Sequence, residues 1–323
     1  MKYSPLLAKK VLAPGARLLY KLFRYVLLIG ISYVVLYPIL QLAMGAFKSP
    51  EEHYVGSSGF LPTDPTFENF THSQSYFPYL KFASSTALIA VISTVLQLVS
   101  CSLVGYGLGR YSFKGNAIVY ACVLFTIILP VQTALIPLVY EYRWFDLFGI
   151  GRLIGLFTGK TVTVNLLRHY LGFYVPALFA VGLNSGIYIF LFRQFFASMP
   201  RDLEEAGKLD GCSPFGIYLR IMVPNIIPVV VTVTLLSLIY YWNDYTLASV
   251  LAHKDDGITL MVGLYRITEY QSSDMLGNEM MDAMTYTSEK YSIMLSIVAP
   301  LILLFMIGQK FFVECMDRSG SKG

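Results

Sequence analysis

The chain has 323 residues and a formal net charge of +4, with 55% hydrophobic and only 14% charged residues. A soluble domain carries about 25% charged residues, so this composition, with a mean hydropathy of +0.59, excludes an ordinary water-soluble enzyme. Four cysteines (Cys101, Cys122, Cys212, Cys315) with no CxxC spacing exclude a zinc ribbon and a secreted disulfide framework.

A membrane helix needs about 20 mostly apolar residues to cross about 30 Å of hydrocarbon. Six stretches free of Asp, Glu, Lys and Arg meet or approach that length. Residues 1–24 are basic, and the first span, 25–47, follows them with no small-residue cleavage site behind it, so it is expected to be retained. Segment 48–80 holds Pro50, Pro62, Pro65 and Pro78, a density that forbids a long helix. The second span, 82–109, and the third, 115–140, are joined by a tight polar turn. Residues 141–170, with Gly149, Gly151, Gly155 and Gly159, lead to the fourth span, 171–192. A loop, 193–220, precedes the fifth span, 221–243. Segment 244–290 precedes the sixth, 291–309, and residues 310–323 form a tail. Spanning segments must satisfy their own backbone hydrogen bonds, so all six are predicted to be helices. The expectation is an all-α integral membrane protein with one six-helix membrane domain, 25–309, between a basic N-terminus, 1–24, and a short C-terminal tail, 310–323.

Lys and Arg concentrate in cytoplasmic loops. With the N-terminus inside, the inner segments hold 15 basic and 6 acidic residues, and the outer loops hold 14 of the 20 acids. Eight of those acids lie in 244–290: Asp244, Asp255, Asp256, Glu269, Asp274, Glu279, Asp282 and Glu289. Both termini and the loop 193–220 are therefore expected in the cytoplasm. The basic N-terminus abuts a membrane helix and suits anionic lipid heads; no nucleic-acid arm is needed to explain it.

The loop 193–220 carries the densest local signals. Ser198 can cap a helix with Pro200 in its first turn, placing Asp202, Glu204 and Glu205 near its positive end. Gly211 is where the chain can leave that helix, because glycine tolerates φ > 0. Ser213 then caps a second helix with Pro214 at its first position. Pro224 and Pro228 fall early in the fifth span, where they can kink it. The result is a cytoplasmic helix–turn–helix elbow with small residues Ala206 and Gly207 on its surface, open to the close approach of a partner.

Glu205-Ala206-Gly207, then Gly211, Ile221 and Val223-Pro224 resemble the motif of permease subunits of maltose-type ABC importers: E-A-A, three residues, G, nine residues, I-x-L-P. Asp210 before the glycine is also usual there. Gly207 stands for the second alanine and Val223 for leucine. Leu36-Tyr37-Pro38, Gly105 to Arg110, Pro130 to Thr133 with Ile136-Pro137, Arg193 to Phe196 and Trp242-Asn243-Asp244 resemble the same family. The resemblance covers most of the chain and implies the type I ABC importer transmembrane fold. It also implies that the elbow is a coupling helix docked on an ATPase, through Glu205, Ala206, Gly207, Asp210, Gly211 and Pro224. The partners it implies are a second permease subunit, two ATPase subunits and an extracytoplasmic solute-binding protein. The cargo it implies is a sugar or oligosaccharide, and the place a bacterial cytoplasmic membrane.

Other motifs carry less. Gly155 to Thr161 has three residues between its glycines where a phosphate loop needs four. ATP use is therefore assigned to a partner, and no cofactor or metal is expected on this chain. His53, His72, His169 and His253 lie in predicted external loops without metal-ligand spacing. Polar groups inside spans are costly and often functional. Gln132, Asn184, Tyr188 and Asn243, with Gln97 and Ser185, are candidates to line a path, or else they hold helices together. The alternative function, a self-sufficient secondary transporter or channel, is disfavoured because the six spans carry no charged residue for ion coupling and no inverted repeat is apparent.

Overall fold

The computed structural model describes residues 14–54, 59–146, 149–159, 163–182, 184–251, 259–274 and 280–320. Lys2, Lys9, Lys10, Lys160, Thr161, His253, Asp255, Asp256, Glu279 and residues 321–323 lie outside them. The described residues build helices, joined by turns and by one isolated antiparallel bridge between Phe145 and Val164. The chain divides into two compact units: residues 1–73 with 278–295, and residues 74–277 with 296–323.

In the first unit, α1 (Pro14–Ala46) is a single 33-residue helix that contains the first predicted span except for its last residue. Leu18 to Leu40 leave their apolar side chains exposed, a surface suited to lipid. The proline-rich stretch after it forms only the short helices α2 (Pro50–Tyr54) and α3 (Glu68–Ser73). Buried Asn69 closes the end of α1 by donating from Nδ2 to the carbonyls of Ala46 (2.9 Å) and Lys48 (2.8 Å), acceptors that a helix C-terminus leaves open.

The second unit is organised around α4 (Tyr79–Arg110). Next come α5 (Asn116–Ile128), α6 (Val131–Arg143), α7 (Ile150–Thr158), α8 (Leu171–Leu178), α9 (Ser185–Ser198) and α10 (Asp202–Leu209). A composite helix follows, made of α11 (Pro214–Ile217), a π turn over Tyr218–Met222 and α12 (Val223–Asn225). The unit continues with α13 (Ile227–Asn243), α14 (Thr246–Leu251) and α15 (Leu260–Asp274). The last helix, α16 (Met280–Gly320), contains the sixth predicted span and runs through both units. α4 packs against α8, α9 and α13. Gly105 and Gly109, one turn apart, let α9 approach: a Cβ on Gly105 would lie 2.6 Å from Phe192 Cβ, and one on Gly109 3.1 Å from Arg193 O. Small residues four apart are how membrane helices come close.

Three of the predicted spans are not single helices. The third breaks at Leu129-Pro130 into α5 and α6, bent by 112°, because a residue before proline avoids the helical region and Leu129 is extended at ψ 122. The fourth is α8 and α9 separated by residues 179–184, where Ala180 and Asn184 take φ of 56° and 62°. The fifth breaks at Ile226, where the helix through Pro214–Asn225 meets α13 at 80°. Proline carries no N–H, so Pro224 removes one rung before the break, and Pro228 fits the first turn of α13, where its N–H would have no helical partner. Among the described residues, α1, α4 and α16 are each long and apolar enough to cross a membrane alone, and the count is five if each of the two bent pairs is one span.

Candidate functional site

The elbow is built by local chemistry. Met199, before Pro200, is extended at ψ 145 and ends α9. Ser198 does not cap α10: it is the last residue of α9 and its Oγ donates to Phe195 O (2.8 Å), while α10 starts at Asp202 with Arg201 before it. The proline moves the start because the chain must extend through residue 199 before it can turn again. Gly211 sits at φ +78. Cys212 N–H donates to Gly207 O (2.9 Å) and Gly211 N–H to Lys208 O (3.0 Å), the paired bonds of a Schellman turn. Ser213 caps α11 through its Oγ, which accepts from Gly216 N–H (3.1 Å), with Pro214 next in the chain.

Within the elbow the small residues divide their tasks. Glu205 and Ala206 are exposed on the outer side of α10. Gly207 is not on that surface. It is buried where α10 meets the second arm, and a Cβ there would lie 2.7 Å from Ile221 Cδ1 and 3.1 Å from Ile217 Cγ1. Its smallness therefore serves the fold of the elbow itself, the tip of Ile221 occupying the room an alanine methyl would take. Asp210 and Pro224 are exposed.

A clasp fixes the elbow to the end of α4. Arg110, with its side chain 5% exposed, sends Nε to Glu204 Oε1 at 2.9 Å. Its Nη1 donates to Met199 O (2.8 Å) and Phe196 O (3.2 Å), and its Nη2 to Pro200 O (3.4 Å). Tyr106 OH donates to the same Glu204 oxygen at 3.0 Å. Burial pushes the Glu204 carboxyl pKa up, but the hydrogen bonds from Arg110 and Tyr106 and the charges of Arg110 and Lys208 outweigh it and hold the group below the ordinary glutamate value. The rings of Tyr106, Phe196 and Tyr218 pack around the clasp with centroids 5.2–6.2 Å apart, and Tyr218 OH pairs with Ser102 Oγ on α4. One guanidinium thus holds the end of α9, the linker and the first turn of α10. Sequence reasoning used Arg110 for orientation and Glu204 for the helix dipole and did not pair them. The readable signal was an arginine closing the second span and a carboxylate in the inner loop between the fourth and fifth.

Of the predicted path residues, Asn184 and Tyr188 are brought together, their side chains within hydrogen-bonding reach. Gln132, Asn184 and Asn243 are exposed; Asn184 adopts a left-handed backbone at the head of α9, and Asn243 Nδ2 donates to Ile239 O of its own helix. Tyr188 is buried at 2% exposure. Gln97, 0% exposed, is locked in a chain running from Ser185 Oγ (3.0 Å) through Gln97 to Ser237 Oγ (3.0 Å) and on to Thr94 Oγ1 (2.9 Å). Gln97 and Ser185 therefore hold α4, α9 and α13 together.

Residues 101–318 match the family described as binding-protein-dependent transport system inner membrane component. The chain is 28% identical over 298 residues to the arabinooligosaccharides transport system permease protein AraQ of Bacillus subtilis (strain 168), covering 91% of this chain and 92% of that protein. It is 26% identical over 307 residues to the galactooligosaccharides transport system permease protein GanQ of the same organism, covering 94% and 95%. A crystal structure of a bacterial ABC transporter involved in the import of the acidic polysaccharide alginate has a chain that superposes with a TM-score of 0.70 at 22% identity, covering 93% of this chain and 98% of that one. With more than half of its length matched, this chain belongs to the family of binding-protein-dependent transport system inner membrane components.

Proposed function

We propose that this chain is the permease subunit of an ABC importer, forming half of a pore that takes up a sugar or oligosaccharide delivered by a solute-binding protein. Two separate ATPase subunits drive it, a second permease completes the pore, and this chain hydrolyses nothing itself. Six crossings fit the fold if α8 with α9 make one broken span beside α1, α4, α16 and the two bent pairs. Both termini and the elbow then face the cytoplasm of a bacterial cell. The family match and relatives whose names specify oligosaccharides support the cargo. The observation that carries the reading is the elbow: a short helix closed by a glycine turn, clasped to α4 from behind, with Glu205 and Ala206 left outward.

In this reading Glu205, Ala206, Asp210 and Gly211 present the elbow to the ATPase, and Gly207 and Pro224 shape it. Proline at residue 211 would force φ from +78 to about −65° and remove the N–H bonded to Lys208 O, at about 3 kcal/mol or more. Gly211→Pro and Glu205→Lys should both insert in the membrane yet lose transport. Pull-down of the ATPase with reconstituted, substrate-stimulated ATP hydrolysis checks this; wild-type values for both variants in both assays would favour a self-sufficient transporter.

A further inference from the structure

Within the first unit, a cavity of about 270 Å³ opens where the C-terminal part of α1 faces α2 and Tyr291 of α16. Its walls are flat rings. Tyr37 and Phe60 stack with centroids 6.0 Å apart and 25° between planes, and His53 and Tyr291 stack at 5.7 Å and 17°. The Tyr291 ring reaches α1 only because Gly45 has no side chain: a Cβ there would lie 2.8 Å from it. Lys48 Nζ donates to Gly59 O (2.8 Å), securing the segment that brings Phe60 over the cavity. Burial lowers the pKa of His53 below its usual 6.5, so its ring is neutral at pH 7. Gln41 lies one turn after Tyr37, on the same side of α1. Among the described residues, the Gln41 amide and the Tyr37 hydroxyl have no hydrogen-bond partner.

Gln41 is exposed at the mouth of the cavity, so its amide is open to a polar ligand or to water. Pockets that bind small molecules combine apolar or aromatic walls with a few convergent polar groups. We propose that this cavity is a subsite for one ring of a neutral saccharide, its C–H face lying on Tyr37, Phe60 and Tyr291 and its hydroxyls bracketed by the donor and acceptor of the Gln41 amide. An anion is a poorer fit, because the cation in the lining, Lys48, is 9% exposed and already bonded. A purely apolar ligand would leave Gln41 unsatisfied. The inference rests on the importer reading, which puts this end of α1 at the outer face, and it names a place on this subunit where cargo would first be held.

The test uses the full complex, with both permeases, ATPase and solute-binding protein, in proteoliposomes. Uptake of radiolabelled arabinose-, galactose- and glucose-based trisaccharides is measured against concentration. For the trisaccharide that wild type transports, Gln41→Leu and Tyr37→Ala should raise the half-saturating concentration about tenfold, the loss of roughly one good hydrogen bond or ring contact, with the same amount of assembled complex. Gln41→Leu keeps the volume of a side chain that bonds nothing, so it separates binding from folding. A Gln41→Leu curve that overlays wild type overturns the subsite while leaving the importer intact. A wild-type complex that takes up none of the three fails the carrier reading itself, and the subsite with it.

Discussion

Arg110 has almost no water to turn to, so its guanidinium depends on Glu204 and three backbone carbonyls. Removing it as Arg110→Ala leaves the partly buried Glu204 carboxylate with only the Tyr106 hydroxyl as a side-chain donor, a loss of about 1–3 kcal/mol, and should lower the thermal unfolding midpoint of the detergent-purified protein. Exchanging the charges, Arg110→Glu with Glu204→Arg, should not restore it, because residue 110 would then aim a carboxylate at the oxygens of Phe196, Met199 and Pro200. Full recovery in the exchanged pair would mean that the ion pair alone matters. The depressed pKa of Glu204 gives a pH signature. A group whose folded pKa lies below its unfolded value stabilises above the unfolded value, here 4.5, and the stabilisation is lost as pH falls below 4.5 through the lowered folded value. Glu204→Gln should flatten that part of a stability profile against pH.

At the level of elements, α4 has one face that admits a neighbouring backbone and one that does not. Gly105 meets Phe192 and the Arg193 backbone, whereas a Cβ on Gly107 meets nothing within 4 Å. Gly107→Ala should therefore be neutral or stabilising by about 0.5–1 kcal/mol, the helix preference of alanine over glycine. Gly105→Ala should destabilise by about 1–3 kcal/mol through overpacking. Equal midpoints for the two in thermal unfolding would dissolve the distinction. The location of apolar helices was legible in the sequence, since runs free of charge mark them directly, and 25–47, 82–109 and 291–309 each lie within one helix apart from a residue at the end of α1. Their continuity was not. Pro224 and Pro228 signalled a bend of unspecified size, Pro130 was read only as part of the family resemblance, and nothing read in 171–192 pointed to Asn184 turning left-handed and dividing the segment. Next to that turn, Gln97 and Ser185 meet across helices, a tertiary contact between residues 88 apart.

For the molecule as a whole, the elbow was legible because caps, glycine turns and prolines act within a few residues. Ser213, Pro214 and Gly211 adopt the roles their chemistry dictates. The clasp was not, because Arg110 and Glu204 are 94 residues apart. The proposed arrangement across the membrane makes a separate prediction. A cysteine introduced at the exposed Ser249 on α14 should react with an impermeant thiol reagent added outside intact cells, and the native Cys212 beside Gly211 should react only after the membrane is opened. The opposite labelling order would invert the orientation and remove the elbow from any cytoplasmic ATPase.

The break at Ile226 gives the clasp a mechanical meaning. A helix bends where its ladder lacks rungs, and between α12 and α13 the chain turns by 80° at φ −108 and ψ 17 with prolines on either side. Immediately before it, the π turn over Tyr218–Met222 widens the helix by a residue per turn. α10, by contrast, is bolted to α4 and α9 through Arg110. A push on α10 would pass to α4 and α9 through Arg110, leaving the rung-poor joint at Ile226 as the compliant point between the elbow and α13.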